Sequence, residues 1–165
     1  MLGETRAELG GSEWAAIVHG LDGGTPPIAD LDLAVRLHSL VSDLVRAREV
    51  AGVHDVSDGG LAVALCEMAF GGGTGFRVDL TTAPGARACS AAEAAFGESA
   101  SRVVLAVTPD QVAAVLGAAA AAGVPAAVVG QAGGDACIAD GAFSVSLVDA
   151  HRAWHDAIPN LMAPT

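Results

Sequence analysis

The chain contains no lysine and no tyrosine, and its eight basic residues are all arginine. Set against nineteen acidic residues, they leave a formal net charge of −11. Phosphate backbones and anionic lipid surfaces are held by basic patches, so this balance argues against nucleic acid or a membrane as partner. Four phenylalanines and two tryptophans provide few platforms for stacking bases. Cys66, Cys89 and Cys137 are widely separated and odd in number, with no Cys-x-x-Cys pair. That spacing argues against a disulfide framework or a zinc knuckle and fits three reduced thiols in a cytoplasmic protein. No apolar run reaches the length of a bilayer span. The opening Met1-Leu2-Gly3-Glu4-Thr5-Arg6 is not expected to be a secretory signal, because no apolar stretch follows a basic start.

What is present is a chain of 165 residues, enough for one domain with a sizeable core. A short helix is expected from Trp14 to Val18, then a loop over residues 19–29 rich in glycine and proline. From Asp30, Leu33, Leu37, Leu40, Val41, Leu44 and Val45 recur at three and four, which predicts a long amphipathic helix. Gly52 to Val56 reads as a short buried strand, and Gly60 to Phe70 as a helix. Phe76 to Leu80 alternates and reads as a strand. Ala91 to Phe96 reads as a short helix and Ser101 to Val107 as a strand. Thr108-Pro109-Asp110-Gln111 has the features of a capped helix start, with Gly123 at the far end. Strands are expected at 126–129, 136–139 and 143–145, and a final helix at 148–157 stopped by Pro159. The loops at 71–75 and 130–135 read as mobile. Helices and strands are mixed and some strands are adjacent, so the predicted fold is α/β (α+β): a mixed sheet covered by helices.

The segment His54-Asp55-Val56-Ser57-Asp58-Gly59-Gly60-Leu61 holds the densest chemistry. Asp55 and Asp58 offer carboxylates to a metal or a hydrogen-bonding substrate group. Ser57 and the N–H groups of Gly59 and Gly60 lie where a strand hands over to a helix, a natural place for a phosphate. The same residues also fit a plainer role, with Ser57 or Asp58 as a helix N-cap and the diglycine as a turn. A second polar stretch, Phe96-Gly97-Glu98-Ser99-Ala100-Ser101-Arg102, precedes an apolar strand. There Glu98 and Ser99 are candidates to reach a polar ligand, or simply form a polar turn. Gly71-Gly72-Gly73-Thr74-Gly75 lacks the lysine and the ending of a phosphate-binding P-loop. His151 and His155 lie one turn apart, but no glutamate lies between them as metalloprotease chemistry requires. No catalytic triad can be assembled from spacing.

Residues 54–61 resemble a hallmark of phosphoribosylformylglycinamidine synthase, large subunit. Leu9-Gly10-Gly11-Ser12-Glu13-Trp14 is similar to that family's Gly-Gly-Ser-Glu-aromatic turn. Pro26-Pro27 before the long helix is similar to its Pro-Pro lead-in. Residues 96–102 resemble its Phe-Gly-Glu-Ser-Gln-x-Arg segment. The four matches come in order and cover most of residues 9–107. They also agree with a wider superfamily that includes aminoimidazole ribonucleotide synthetase and thiamine-monophosphate kinase.

The resemblance implies that residues 1–165 are a single C-terminal-type domain, the last in a longer synthase chain. It implies an ATP- and magnesium-dependent ligase of purine biosynthesis, which turns formylglycinamide ribonucleotide into its amidine with ammonia drawn from glutamine. The partners implied are the N-terminal ATP-binding domains of the same chain, a glutaminase subunit and a small bridging subunit. Asp55, Ser57, Asp58, Gly59, Gly60, Glu98 and Ser99 are the implied candidates for a substrate or nucleotide-phosphate site. No catalytic residue is expected within this segment, and the metal ligands are unknown. Where the family has the glutamine of Glu-Ser-Gln, this chain has Ala100. That departure favours a non-catalytic assembly module as the alternative, and a domain of a related kinase is a further one. The chain alone is expected to fold and to be inactive.

Overall fold

Asp30 accepts a hydrogen bond from the Leu33 N–H at 2.9 Å and so starts the longest helix, α2 (Leu31–Ala47). The computed structural model describes residues 1–162. On α2 the three–four spacing buries Leu33, Leu37, Leu40 and Leu44, and Arg48 closes the helix in the left-handed region. Ahead of it lies α1 (Glu13–His19), capped by Ser12, whose hydroxyl accepts the Ala15 N–H.

Four strands form one mixed sheet: β2 (Phe76–Val78), β4 (Gly130–Ala132), β5 (Ala136–Ala139) and β6 (Phe143–Ser146). Their order is β4-β2-β5-β6, with β2 and β5 parallel and the outer pairs antiparallel. Two further strands, β1 (Gly52–Asp55) and β3 (Val103–Ala106), make a separate antiparallel pair. Leu2 bridges to Val103 and Ala126 beside it.

The central helix is α3 (Gly60–Gly72), which packs against β1, β5, α4 (Ala91–Phe96) and α6 (Leu147–His155). Glu67 is its one charged residue, as a helix surrounded by other elements requires. Two apolar cores result. One joins α3 and α4 to the four-stranded sheet through Leu61, Leu65, Phe76, Val78 and Cys137. The other joins α2 to α5 (Val112–Ala121) and β3 through Leu2, Leu37, Val103 and Ala119.

Several expectations are corrected. β1 is not buried: its residues alternate between half-buried and exposed, because one face is open. β2 stops at Val78, where Asp79 turns the chain by accepting the Thr81 N–H and hydroxyl. Residues 126–129 form no strand, and 130–132 do, because β2 needs an edge partner and finds it there. α5 starts at Val112 without a side-chain cap; the Thr108 hydroxyl instead donates to the Gln111 side-chain oxygen at 2.9 Å. Pro159 does not stop the last helix. It lies inside α7 (Ala157–Met162), and the helical run is interrupted earlier, after His155, the position whose carbonyl a proline ring four residues on crowds.

Candidate functional site

The 54–61 segment is a joint built on two close approaches. Gly59 and Gly60 both have positive φ, 78° and 69°. A Cβ on Gly60 would stand 2.7 Å from the Gly97 carbonyl oxygen and 2.7 Å from the Phe96 carbonyl carbon. Only glycine lets the turn press this closely on the end of α4. The Gly60 N–H donates to the Ser57 carbonyl at 2.9 Å. The Gly59 N–H donates to Glu98 Oε1, also at 2.9 Å. The same oxygen accepts the Glu13 N–H at 2.9 Å. One carboxylate therefore ties together the start of α1, the diglycine turn and the 96–102 stretch.

Behind Glu98 sits Arg102, 2 % exposed. Its guanidinium donates to the carbonyls of Gly97 and Ser99, which flank Glu98, and to the Thr5 hydroxyl. Burial lowers the Arg102 pKa to about 10, with Glu8, Cys89 and Glu98 opposing that shift. The Arg102 carbonyl accepts the Val56 N–H at 3.0 Å, just before the turn. Ser99 is 1 % exposed. Its hydroxyl accepts the Arg6 N–H at 3.0 Å and lies 3.4 Å from the Arg6 carbonyl. Ser99 thus anchors the amino-terminal segment rather than facing outward. Arg102 was not among the sequence candidates; its one signal is a cation at the threshold of an apolar strand.

Of the sequence candidates, Asp55, Ser57, Asp58, Gly59, Gly60 and Glu98 come together. Asp55, Ser57 and Asp58 are exposed, and the Ser57 hydroxyl donates to Asp55 Oδ2 at 2.9 Å. Neither Ser57 nor Asp58 caps α3; Gly59 holds the N-cap position without a side-chain bond. The two glycine N–H groups expected to meet an anion are engaged within the chain. What the turn turns outward is acceptors, suited to hydroxyl, amide or cationic groups rather than to a bare phosphate.

His54 lies beside this face, with Nε2 3.4 Å from Glu67 Oε2 and Nδ1 2.6 Å from the Asp55 carbonyl oxygen. Among the described residues no three His, Cys, Asp or Glu side chains converge as a metal site needs. Asp55 and Asp58 are the carboxylates this turn could offer a magnesium ion, and the Gly59 and Gly60 N–H groups are already engaged within the chain. An apolar groove of about 310 Å³ runs alongside, between α3 and α6, walled by Phe70, Phe96, Phe143 and Trp154. His151 and His155 stack at 5.6 Å, and His151 packs edge-on against Phe70. The glycines at 71–73 end α3, with Gly73 as its left-handed C-cap. No helix of the described residues is long and apolar enough to cross a membrane.

Comparison with known proteins gives one consistent answer. The chain is 40% identical over 164 residues to the phosphoribosylformylglycinamidine synthase subunit PurL of Thermobifida fusca, covering 98% of this chain and 20% of that protein. It is 44% identical over 164 residues to the PurL of Caulobacter vibrioides, covering 99% and 21%. The chain thus spans about a fifth of the length of these relatives. In fold it is similar to T. maritima PurL complexed with FGAR, with a TM-score of 0.78 at 19% identity over 90% of this chain and 26% of that one. T. maritima PurL complexed with AMPPCP is similar at a TM-score of 0.72 and 17% identity, covering 90% and 24%. The family model for the C-terminal domain of AIR synthase related protein matches residues 1–139, and the chain belongs to that family.

Proposed function

We propose that this chain works as a C-terminal-type domain of an ATP-dependent synthase that makes formylglycinamidine ribonucleotide from formylglycinamide ribonucleotide. The observation that carries the reading is the 40% identity to a PurL over 98% of the chain. In this reading ATP and magnesium are held by N-terminal domains of the same protein, and no chemical step is assigned to the residues described here. Asp55, Ser57, Asp58, Gly59, Gly60, Glu98 and Ser99 form or support one wall of a cleft completed by those domains. Asp55, Ser57 and Asp58 face the ligand and orient its donor groups, while Gly59, Gly60, Glu98 and Ser99 support that wall from within. A glutaminase subunit and a small bridging subunit supply ammonia, and the assembly is cytoplasmic. One solved neighbour is a PurLQS complex, which supports a multi-subunit setting.

A chimera tests this. The matching fifth of the Thermobifida fusca PurL is replaced by this chain, and amidine formation is followed with ATP and ammonia supplied. Turnover within about tenfold of the parent is expected. The chain alone is expected to give none. A chimera that folds and binds its partners but shows no turnover would refute the reading.

A second reading, a non-catalytic assembly module, is favoured by one set of contacts. Glu98 and Ser99 make their hydrogen bonds inside the chain, and Ala100 carries no amide. The two readings separate on Asp58→Ala in the chimera. Loss of turnover with intact assembly supports the synthase wall, and loss of assembly with normal turnover per complex supports the module.

A further inference from the structure

We propose that Glu98, held by Arg102, is a positioning residue that sets the 57–60 turn, and that its carboxylate takes the backbone donors a ligand would otherwise use. The proposal deepens the reading of the cleft wall given above. It is tested without turnover, so the two fail separately.

A guanidinium 2 % exposed is costly unless its donors are satisfied. Arg102 satisfies them on the carbonyls of Gly97 and Ser99, the two residues on either side of Glu98. With both flanking peptides gripped, the Glu98 backbone is held in one orientation, which places its carboxylate within reach of the diglycine turn. Ser101 adds to the grip. It sits in the left-handed region at φ 58°, beneath Gly3, where a Cβ would come within 2.0 Å of the Ser101 carbonyl oxygen. Glu98 Oε1 then meets two N–H groups that are distant in sequence, Gly59 and Glu13, each at 2.9 Å.

Hydrogen bonds to a charged acceptor are about twice as strong as neutral ones. A single oxygen with two such donors couples the start of α1 to the diglycine turn. Both segments are referenced to one oxygen, so displacing that oxygen loses both bonds. Glu98 does this through the turn, so its effect on any ligand at Asp55, Ser57 or Asp58 is indirect.

The coupling has a spectroscopic signature. In the ¹⁵N-labelled chain, substitution of Glu98 moves the Gly59 and Glu13 amide resonances together, because both amides donate to the same oxygen. Glu98→Gln keeps an oxygen acceptor for both amides and keeps them protected from hydrogen exchange. Glu98→Ala speeds exchange at Gly59 and Glu13 by about tenfold or more, with amides of α2 unchanged. Arg102→Lys cannot grip both carbonyls at once and gives the same selective loss. Loss of protection at only one of the two amides would overturn the proposal. So would a Glu98→Ala variant whose exchange rises equally everywhere, since that is loss of stability alone. Should Glu98→Ala fail to fold, Glu98→Gln decides by itself: both amide resonances are expected to move together, and movement of one alone overturns the proposal.

Discussion

Trp14 lies flat on Phe96, with ring centroids 4.2 Å apart and planes 16° from parallel. The stack joins the first turn of α1 to the last residue of α4, one residue before the Gly97 carbonyl that Arg102 grips. It is the apolar counterpart of the Glu98 tie, linking the same two stretches of chain. Stacked aromatic pairs contribute about 0.5–1.5 kcal/mol beyond the area they bury. A double-mutant cycle with Trp14→Ala and Phe96→Ala is expected to show a coupling energy in that range. Urea unfolding measures it, and strict additivity of the two losses would show that the rings do not interact.

Gly60→Ala should be the most damaging small substitution in the turn. The new methyl meets backbone atoms of Phe96 and Gly97 at 2.7 Å, and the residue keeps a positive φ. Backbone cannot yield as a flexible side chain can, so a loss of about 3 kcal/mol or more is expected. Gly73→Ala is the control. It has a similar φ, 61°, with nothing within 4 Å of its Cβ position, and should cost only about 1 kcal/mol. Equal losses at the two sites would mean that the contact with residues 96–97 is unimportant.

The thiols should react in a set order. Cys66 and Cys137 lie against each other, and burial, then Cys137, push the Cys66 thiol up to about 12. Cys137 is 0 % exposed and its pKa is also raised, chiefly by burial. Cys89 is half-exposed, with a pKa raised first by burial and then by Glu93. Alkylation of the folded chain by iodoacetamide at pH 8 is expected to label Cys89 first, with Cys66 and Cys137 modified only as the protein unfolds. Peptide mass mapping over time reads the order.

The short helix α4 depends on its first turn. The Ser90 hydroxyl accepts the Glu93 N–H at 3.3 Å, and Glu93 Oε2 accepts the Ser90 N–H at 2.7 Å. Ser90→Ala is expected to cost about 1 kcal/mol. The bond from Ser90 holds the Glu93 pKa below its ordinary 4.5. A carboxyl with a lowered folded pKa stabilises above its unfolded value, and that contribution fades as pH falls through the lower folded one. Glu93→Gln should therefore lower stability at pH 7 and lose its difference from the parent as pH falls below the ordinary 4.5 and through the lower folded value. Denaturant midpoints across that range check the sign.

Much of the fold could be read from residue order. The α2 helix was plain because Asp30 caps it and leucines repeat on one face. The short helix at 91–96 and the strands at 136–139 and 143–146 were placed to within a residue or two. Other features depended on partners that local pattern does not reveal. Residues 130–132 look like loop, with glycine, glutamine and alanine all exposed, yet they pair with β2 because that edge lies open. Pro159 carries a strong local signal for a stop, yet it sits inside α7, and the helical run is interrupted earlier, at Asp156 between α6 and α7. In the site, the clustering of residues 54–61 was visible as a motif. That Gly59 donates to Glu98 was not, because thirty-nine positions separate them.

By itself the sequence determined the helices with one apolar face, the acidic and lysine-free surface, and the four ordered motifs that mark the family. These follow from local periodicity and residue chemistry, which need no neighbour in space. Only the tertiary structure decided what the diglycine turn is for. Its N–H groups are engaged by Glu98 and by the Ser57 carbonyl, and its missing side chains make room for residues 96–97. The physical reason is that a buried or half-buried N–H must find an acceptor somewhere, and which acceptor it finds is settled by packing across the chain.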